Sequence, residues 1–341
     1  MVKADLGSVG AAGADAAGNT LFTRIEAVDG GFKLFLRKMG PDGNFLPNGV
    51  AGQGMSIASF PFSVGPGTFG GGSTFDAAGN LYQSSSTTGG GFNYPRYLNG
   101  GILYRVSLDG TATKLVEWAA GSAGAMAPAG LAVGPDGALY FLDQLSGNLV
   151  VWTAQGGTRA LAKLRSPLTG NYSGSVQVYI VVTPDNKIYV MDRNLLKRID
   201  GATVTIIAGS LTTAPLVEGD TGAGSSGTTD GTGSAALFFS PGALALDAAG
   251  NILVADLTTI RKVTPAGVVT TVAGIPAPSP FVAANLPPLQ EGPLPGSLGL
   301  QIGPIAVGAD GVVHAFVYPT ASTAPGLSAN VQQTLVKIRL P

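Results

Sequence analysis

The chain contains no cysteine. Disulfides, thiolate metal sites and cysteine nucleophiles are therefore excluded. It contains one histidine, His314, so a multi-histidine zinc site cannot be assembled from it. Charge is scarce as well: Asp, Glu, Lys and Arg make up 11% of the residues, against roughly a quarter in an average soluble domain. The net charge of −1 leaves no electrostatic footprint for DNA, RNA or an anionic membrane. No apolar run approaches the ~18 residues needed to span a bilayer, so membrane insertion is not expected. The opening MVKADLGSVG has no apolar h-region, and no signal peptide is expected within it. No G-x-S-x-G elbow, P-loop or helix-borne zinc motif is present.

What the chain does have is apolar residues, 45% of its 341, and 52 glycines. The first allows a substantial core in one large domain or two ordinary ones. The second, with plentiful Ser and Thr, implies many turns and an uncharged polar surface. Such a surface fits a secreted, periplasmic or cell-surface protein better than a cytosolic enzyme.

The pentapeptide DAAGN occurs three times, at Asp15–Asn19, Asp76–Asn80 and Asp247–Asn251. Diluted copies fill the gaps. Aligned on the fourth residue, the series is Gly18, Gly79, Gly137 in GPDGALYF, Asn186 in TPDNKIYV, Gly250, and Gly311 in GADGVVHAF, at intervals of about 50 to 65 residues. Gly, or Asn in its place, supplies the positive φ of a tight hairpin turn. The Asp one to three residues earlier can bind amides of the same turn.

Short runs rich in Val, Ile, Leu and Tyr flank each anchor, as in GALALD before and NILVAD after. A third run follows (TIRKVT, LLKRID, NLVVWT, ILYRVS, TLVKIR), and then a turn and a fourth, as in PAGVVTTVAG. The unit is a four-stranded antiparallel meander, and there are six. Such units arranged radially make an all-β, six-bladed β-propeller; the regular spacing argues against a two-sheet sandwich. The chain ends after the third strand of unit six, so Val2–Leu6 are expected to supply its fourth strand and close the ring. One domain spans 1–341, with blades near 8–60, 69–118, 128–165, 174–209, 238–274 and 301–341 plus 1–7.

The segment DGTGSAALFFSPGALALDAAGNILVADLTTIRKVTPAGVVTTVAG, Asp230–Gly274, resembles a bacterial NHL repeat almost end to end. Units three, four and six match it more loosely, and units one and two mainly at the DAAGN turn and third strand. The resemblance implies a six-bladed propeller and is weak for function, since propellers host unrelated activities. Propeller amidating lyases use several histidines, and this chain has one. Calcium-dependent six-bladed lactonases use Glu, Asn and Asp on inner strands, where this chain reads GALALD, GLAVGP and PIAVGA.

Insertions interrupt the repeat at Leu46–Ser73, Gln83–Gly101, Gly209–Ala236, Ile275–Gln301 and Tyr318–Gln333, and long loops in compact domains are functional or disordered. The loops at Gln83–Gly101 and Tyr318–Gln333 join second to third strands, so they should emerge on one face. The first carries Phe92, Tyr94, Arg96 and Tyr97, a composition suited to ligand binding or to packing the loop on its blade. Six residues after the anchor, three blades carry Asp143, Asp192 and Asp256. These can form an arc of Ca²⁺ ligands or an acid–base group; the NHL resemblance implies instead that they end the second strand and cap the next turn. The DGTG at Asp230–Gly233 lacks the further carboxylates of a calcium loop and reads as an ordinary connection. His314 reads as a packed strand residue.

The expectation is a non-enzymatic binding module that presents loops to a protein or glycan partner. It would be a monomer or part of a longer chain, with no cofactor unless Ca²⁺ binds. The alternative is a metal-dependent hydrolase or lyase at the mouth of the central channel.

Overall fold

The computed structural model describes residues 8–15, 17–28, 31–46, 72–89, 97–109, 111–166, 178–212, 224–277, 287, 289–290, 292–299, 301–318 and 333–340. Six antiparallel sheets follow one another along them. Blade one holds β1 (Ser8–Ala14), β2 (Thr20–Val28), β3 (Gly31–Met39) and β4 (Phe45–Leu46). Blade two holds β5 (Ser73–Phe75), β6 (Leu81–Gly89), β7 (Tyr97–Val106) and β8 (Ala112–Trp118). Blade three holds β9 (Pro128–Val133), β10 (Leu139–Asp143), β11 (Asn148–Thr153) and β12 (Gly157–Lys163). Blade four holds β13 (Val178–Val182), β14 (Ile188–Asp192), β15 (Leu195–Asp200) and β16 (Thr203–Ala208). Blade five holds β17 (Gly231–Thr232), β18 (Pro241–Leu246), β19 (Ile252–Asp256), β20 (Thr259–Val263) and β21 (Val268–Gly274). Blade six holds β22 (Gln301–Val307), β23 (Val312–Tyr318) and β24 (Thr334–Arg339).

The same hairpin opens every blade. Its first residue donates an amide to the carbonyl four residues on, at 2.8 to 3.1 Å, and its fourth donates back to the first, at 2.9 to 3.0 Å. The fourth residue is the anchor, and all six anchors have φ between 62° and 85°, the left-handed region that Gly and Asn tolerate. In the three DAAGN turns the end residues clasp each other. Asp76 accepts the Asn80 amide and its Nδ2, both at 2.8 Å; Asp15–Asn19 and Asp247–Asn251 do the same. The diluted turns lack the Asp–Asn clasp: Asp136 and Asp310 bind the amide two residues on, at 3.1 Å, and in blade four the Thr183 hydroxyl accepts the Lys187 amide at 2.9 Å.

The inner strands β1, β5, β9, β13, β18 and β22 pack side by side, and β22 packs back on β1, so the ring is closed. Each seam between blades has its own buried cluster. Tyr140, Val178 and Ile188 sit between blades three and four, and Tyr189, Phe238 and Ile252 between four and five. Leu253, Ile302 and Val313 fill the next seam, and Val9, Phe22, Phe316 and Leu335 join blade six to blade one. The second strands β10, β14 and β19 are buried at every residue because both faces meet a neighbouring blade. Each such large apolar side chain contributes about 1.5–3 kcal/mol.

Two expectations change, and a third segment gains detail. The Gln83–Gly101 insertion, expected as a loop after the strand NLYQSS, is in large part strand: β6 runs to Gly89 and pairs with β7 from Tyr97, with Ser84 and Ser85 opposite Leu103 and Ile102. The DGTG segment is more than a connection: Gly231 and Thr232 form a fifth strand on the outer edge of blade five, against β21. The Ile275–Gln301 connection is tied down at its end, with the Gly274 amide on the Pro295 carbonyl at 2.7 Å and Leu298 in the core. Val2–Leu6, expected to complete blade six, lie outside the described residues.

Candidate functional site

Hairpin polarity sorts the ring into two ends. The opening turns lie on one face, the turn face. The second strands run away from it and deliver their last residues to the opposite, loop face. On the turn face the opening turns of blades two to six surround a basin of about 1010 Å³. Its walls include Phe75, Tyr82, Pro135, Pro184, Tyr189 and Leu246, with Asp76, Asp185, Lys187 and Asp247 as polar points. Small residues at the turn tips, such as Ala77, Ala78, Ala248 and Ala249, keep the basin open.

The polar groups are held in place. The Tyr82 hydroxyl donates to Asp76 Oδ2 at 3.3 Å, and burial, then Asp76, push its ionisation up. Asp247 accepts the amides of Ala249 and Asn251 at 2.9 and 2.8 Å. Lys187 and Asp185 pair at 2.8 Å with both side chains more than half exposed. A cup that sets the Phe75 and Tyr82 rings and three prolines beside four fixed charged side chains suits a polar ligand with an apolar face.

The three equivalent aspartates lie at the other end, each engaged within its surroundings. Asp143 accepts the amides of Ala127, Leu145 and Ser146 at 2.9, 3.2 and 3.0 Å. Asp256 accepts those of Phe239 and Ser240, the latter at 2.7 Å, and the Arg261 guanidinium at 3.2 Å. Asp192 binds Arg165 of the preceding blade, and Lys197 at 2.6 Å. Burial pushes the Asp256 carboxyl up, against the pull of its amides and Arg261. Burial pushes the Lys197 ammonium down, with Asp192 opposing. Among the described residues no three His, Cys, Asp or Glu side chains group as a metal would require.

Phe92, Tyr94 and Arg96 lie outside the described residues. Tyr97 opens β7, and its side chain is outside the description too. His314 is a packed strand residue, 1% exposed, with Nδ1 2.5 Å from Thr20 Oγ1 of blade one.

Sequence reasoning missed the basin and the buried cations. Arg261, fully buried, spans Asp256 and, at 2.7 Å, Asp230, and its guanidinium lies 5.6 Å over the Phe238 ring. The signal was available: a cation follows the aspartate by five residues in MDRNLLK and ADLTTIR.

Six radial meanders closed about a central basin make this chain a six-bladed β-propeller. No known family pattern matches it, and no curated protein does. Solved structures match the whole fold. A protein of unknown function from Bacteroides thetaiotaomicron superposes with a TM-score of 0.61 at 18% identity, over 99% of this chain and 70% of that one. An auxiliary nutrient binding protein from the same organism gives 0.61 at 14% identity, over 98% and 70%. A gluconolactonase from Xanthomonas campestris gives 0.51 at 13% identity, over 100% and 89%. Among the described residues no helix is long and apolar enough to cross a membrane.

Proposed function

We propose that this propeller is a non-enzymatic binding module that takes a glycan, or a projecting loop of a protein, in its turn-face basin. The basin carries the reading: five blades build one cup of about 1010 Å³ whose walls set Phe75, Tyr82 and three prolines beside four charged side chains. Aromatic rings with positioned hydroxyl and carboxylate groups are the chemistry that holds neutral, hydroxyl-rich ligands. The likeness to a nutrient binding protein supports a binding role for such a scaffold. Against a metal-dependent hydrolase or lyase stands the engagement of Asp143, Asp192 and Asp256 with their own amides and cations.

The test is a glycan-array screen followed by calorimetry on the strongest binder. Tyr82→Ala should weaken that binding at least tenfold with the melting temperature nearly kept, because Tyr82 is only partly buried. Loss on Tyr94→Ala plus Tyr97→Ala, with Tyr82→Ala silent, would move the site to the aromatic loop. A rise in melting temperature with added Ca²⁺ that Asp143→Asn abolishes would favour the metal reading.

A further inference from the structure

The third residue after each turn anchor is Leu21, Tyr82, Tyr140, Tyr189, Leu253 and His314 in the six blades. This position fills a seam. Tyr140, Tyr189 and Leu253 pack on the following blade in their clusters, and Leu21 lies against Gly79 of blade two. At this position the other five seams therefore carry Leu or Tyr, which do not titrate in acid. At the seam where blade six meets blade one the same position is an imidazole, beside the apolar cluster of Val9, Phe22, Phe316 and Leu335.

Polar ties cross that seam among the described residues. His314 meets Thr20 at 2.5 Å. Lys337, its register partner on β24, carries its ammonium across to the Pro41 and Gly40 carbonyls at 3.1 and 3.4 Å. Gln333 accepts the Val9 amide at 3.1 Å, and the Phe22 and Phe316 rings meet at a tilt of 51° with centroids 5.1 Å apart.

We propose that the seam between blades six and one is an acid-released clasp: protonation of His314 opens the ring there before the other five seams yield. The Thr20 hydroxyl can turn from donor to acceptor, so the hydrogen bond itself survives protonation. What fails is the burial of a cation beside the partly exposed Lys337. The surrounding charges offer little relief. Asp310 in the β22–β23 turn attracts, while β1 has no charged residue. On blade one Asp42 feels Lys337, and Asp15 and Lys38 neutralise each other at 2.6 Å. Burial first, then Lys337, hold the closed-state imidazole down at about 4, against 6.5 when free. The open seam therefore binds the proton first. Closure is fully favoured above pH 6.5 and weakens as pH falls toward 4, which makes opening roughly 50-fold more favourable at pH 4.5 than at pH 7.

His314 is the sole histidine, so its ring protons report on the seam in the intact wild-type chain. The proton NMR titration should give an apparent pKa well below 6. Hydrogen exchange, corrected for intrinsic rate, should then accelerate in β1, β2, β23 and β24 between pH 7 and 4.5 while β10 and β14 stay protected. His314→Gln should keep the seam protected at pH 4.5. If that variant does not fold, Lys337→Met serves: it should move the imidazole pKa upward. A wild-type pKa of 6 or more, uniform loss of protection around the ring, or unchanged acid sensitivity in His314→Gln would overturn the proposal.

Discussion

Blades three and five place an aspartate at the same point, the end of the second strand, and complete it in different ways. Asp143 accepts three backbone amides and, among the described residues, no cation. Asp256 accepts two amides and Arg261, and Arg261 reaches on to Asp230 and to the carbonyls of Leu237 and Thr229. The cause lies outside the repeat. In blade five the chain arriving from blade four is laid along the outer edge as β17, next to Asp230. A second carboxylate near a buried one is unfavourable without a long cation between them. In blade three the corresponding strand position is Val150, buried among Leu103, Leu131 and Phe141. The shared aspartate ties the incoming segment to the second strand; the partner set depends on how the incoming chain is routed.

The largest predicted effect tests that difference. Arg261→Met strands Asp256 and Asp230 without a counter-ion and should cost about 3–5 kcal/mol in urea denaturation. Adding Asp256→Asn should recover part of the loss, since the amide oxygen still serves the Phe239 and Ser240 amides. A cost below 1 kcal/mol would mean that amides suffice in blade five as in blade three. Next in size, Asp143→Ala leaves three amides without an acceptor and should cost about 1–3 kcal/mol, with Asp143→Asn milder. An Asp143 variant that matched Arg261→Met would erase the distinction.

The fold was legible because the turn is local chemistry. Six anchors at positive φ, and an Asp–Asn clasp in three of them, follow from residues four apart in sequence. The strands between the turns are short runs rich in Val, Ile, Leu and Tyr, bounded by turn residues, and so read as strands. The site was less legible. Tyr82, Tyr140 and Tyr189 stand in the strands that revealed the repeat, but which neighbour each meets depends on the rotation between blades, and that no local pattern encodes. Equal placement of Asp143, Asp192 and Asp256 could mean convergence or capping; the choice rests on where the preceding segment enters the blade. The insertions drew attention to the loop face, whereas the basin is built by the uninterrupted turns themselves.

The smallest predicted effect separates the turn from the clasp. Gly137 of blade three and Gly250 of blade five share φ of 79°, and a Cβ at either would meet open space. Ala at each should therefore pay only the left-handed backbone penalty, about 1 kcal/mol. The two turns differ in one respect: Asp247 and Asn251 clasp around Gly250, while Asp136 binds a single amide near Gly137. If the clasp only decorates a turn that its backbone already determines, thermal denaturation of the two variants will agree within about 0.5 kcal/mol. A larger loss in blade five would show that the clasp resists the backbone adjustment that blade three can make. The recurrence of DAAGN would then reflect stiffness of the basin wall as well as the geometry of a hairpin.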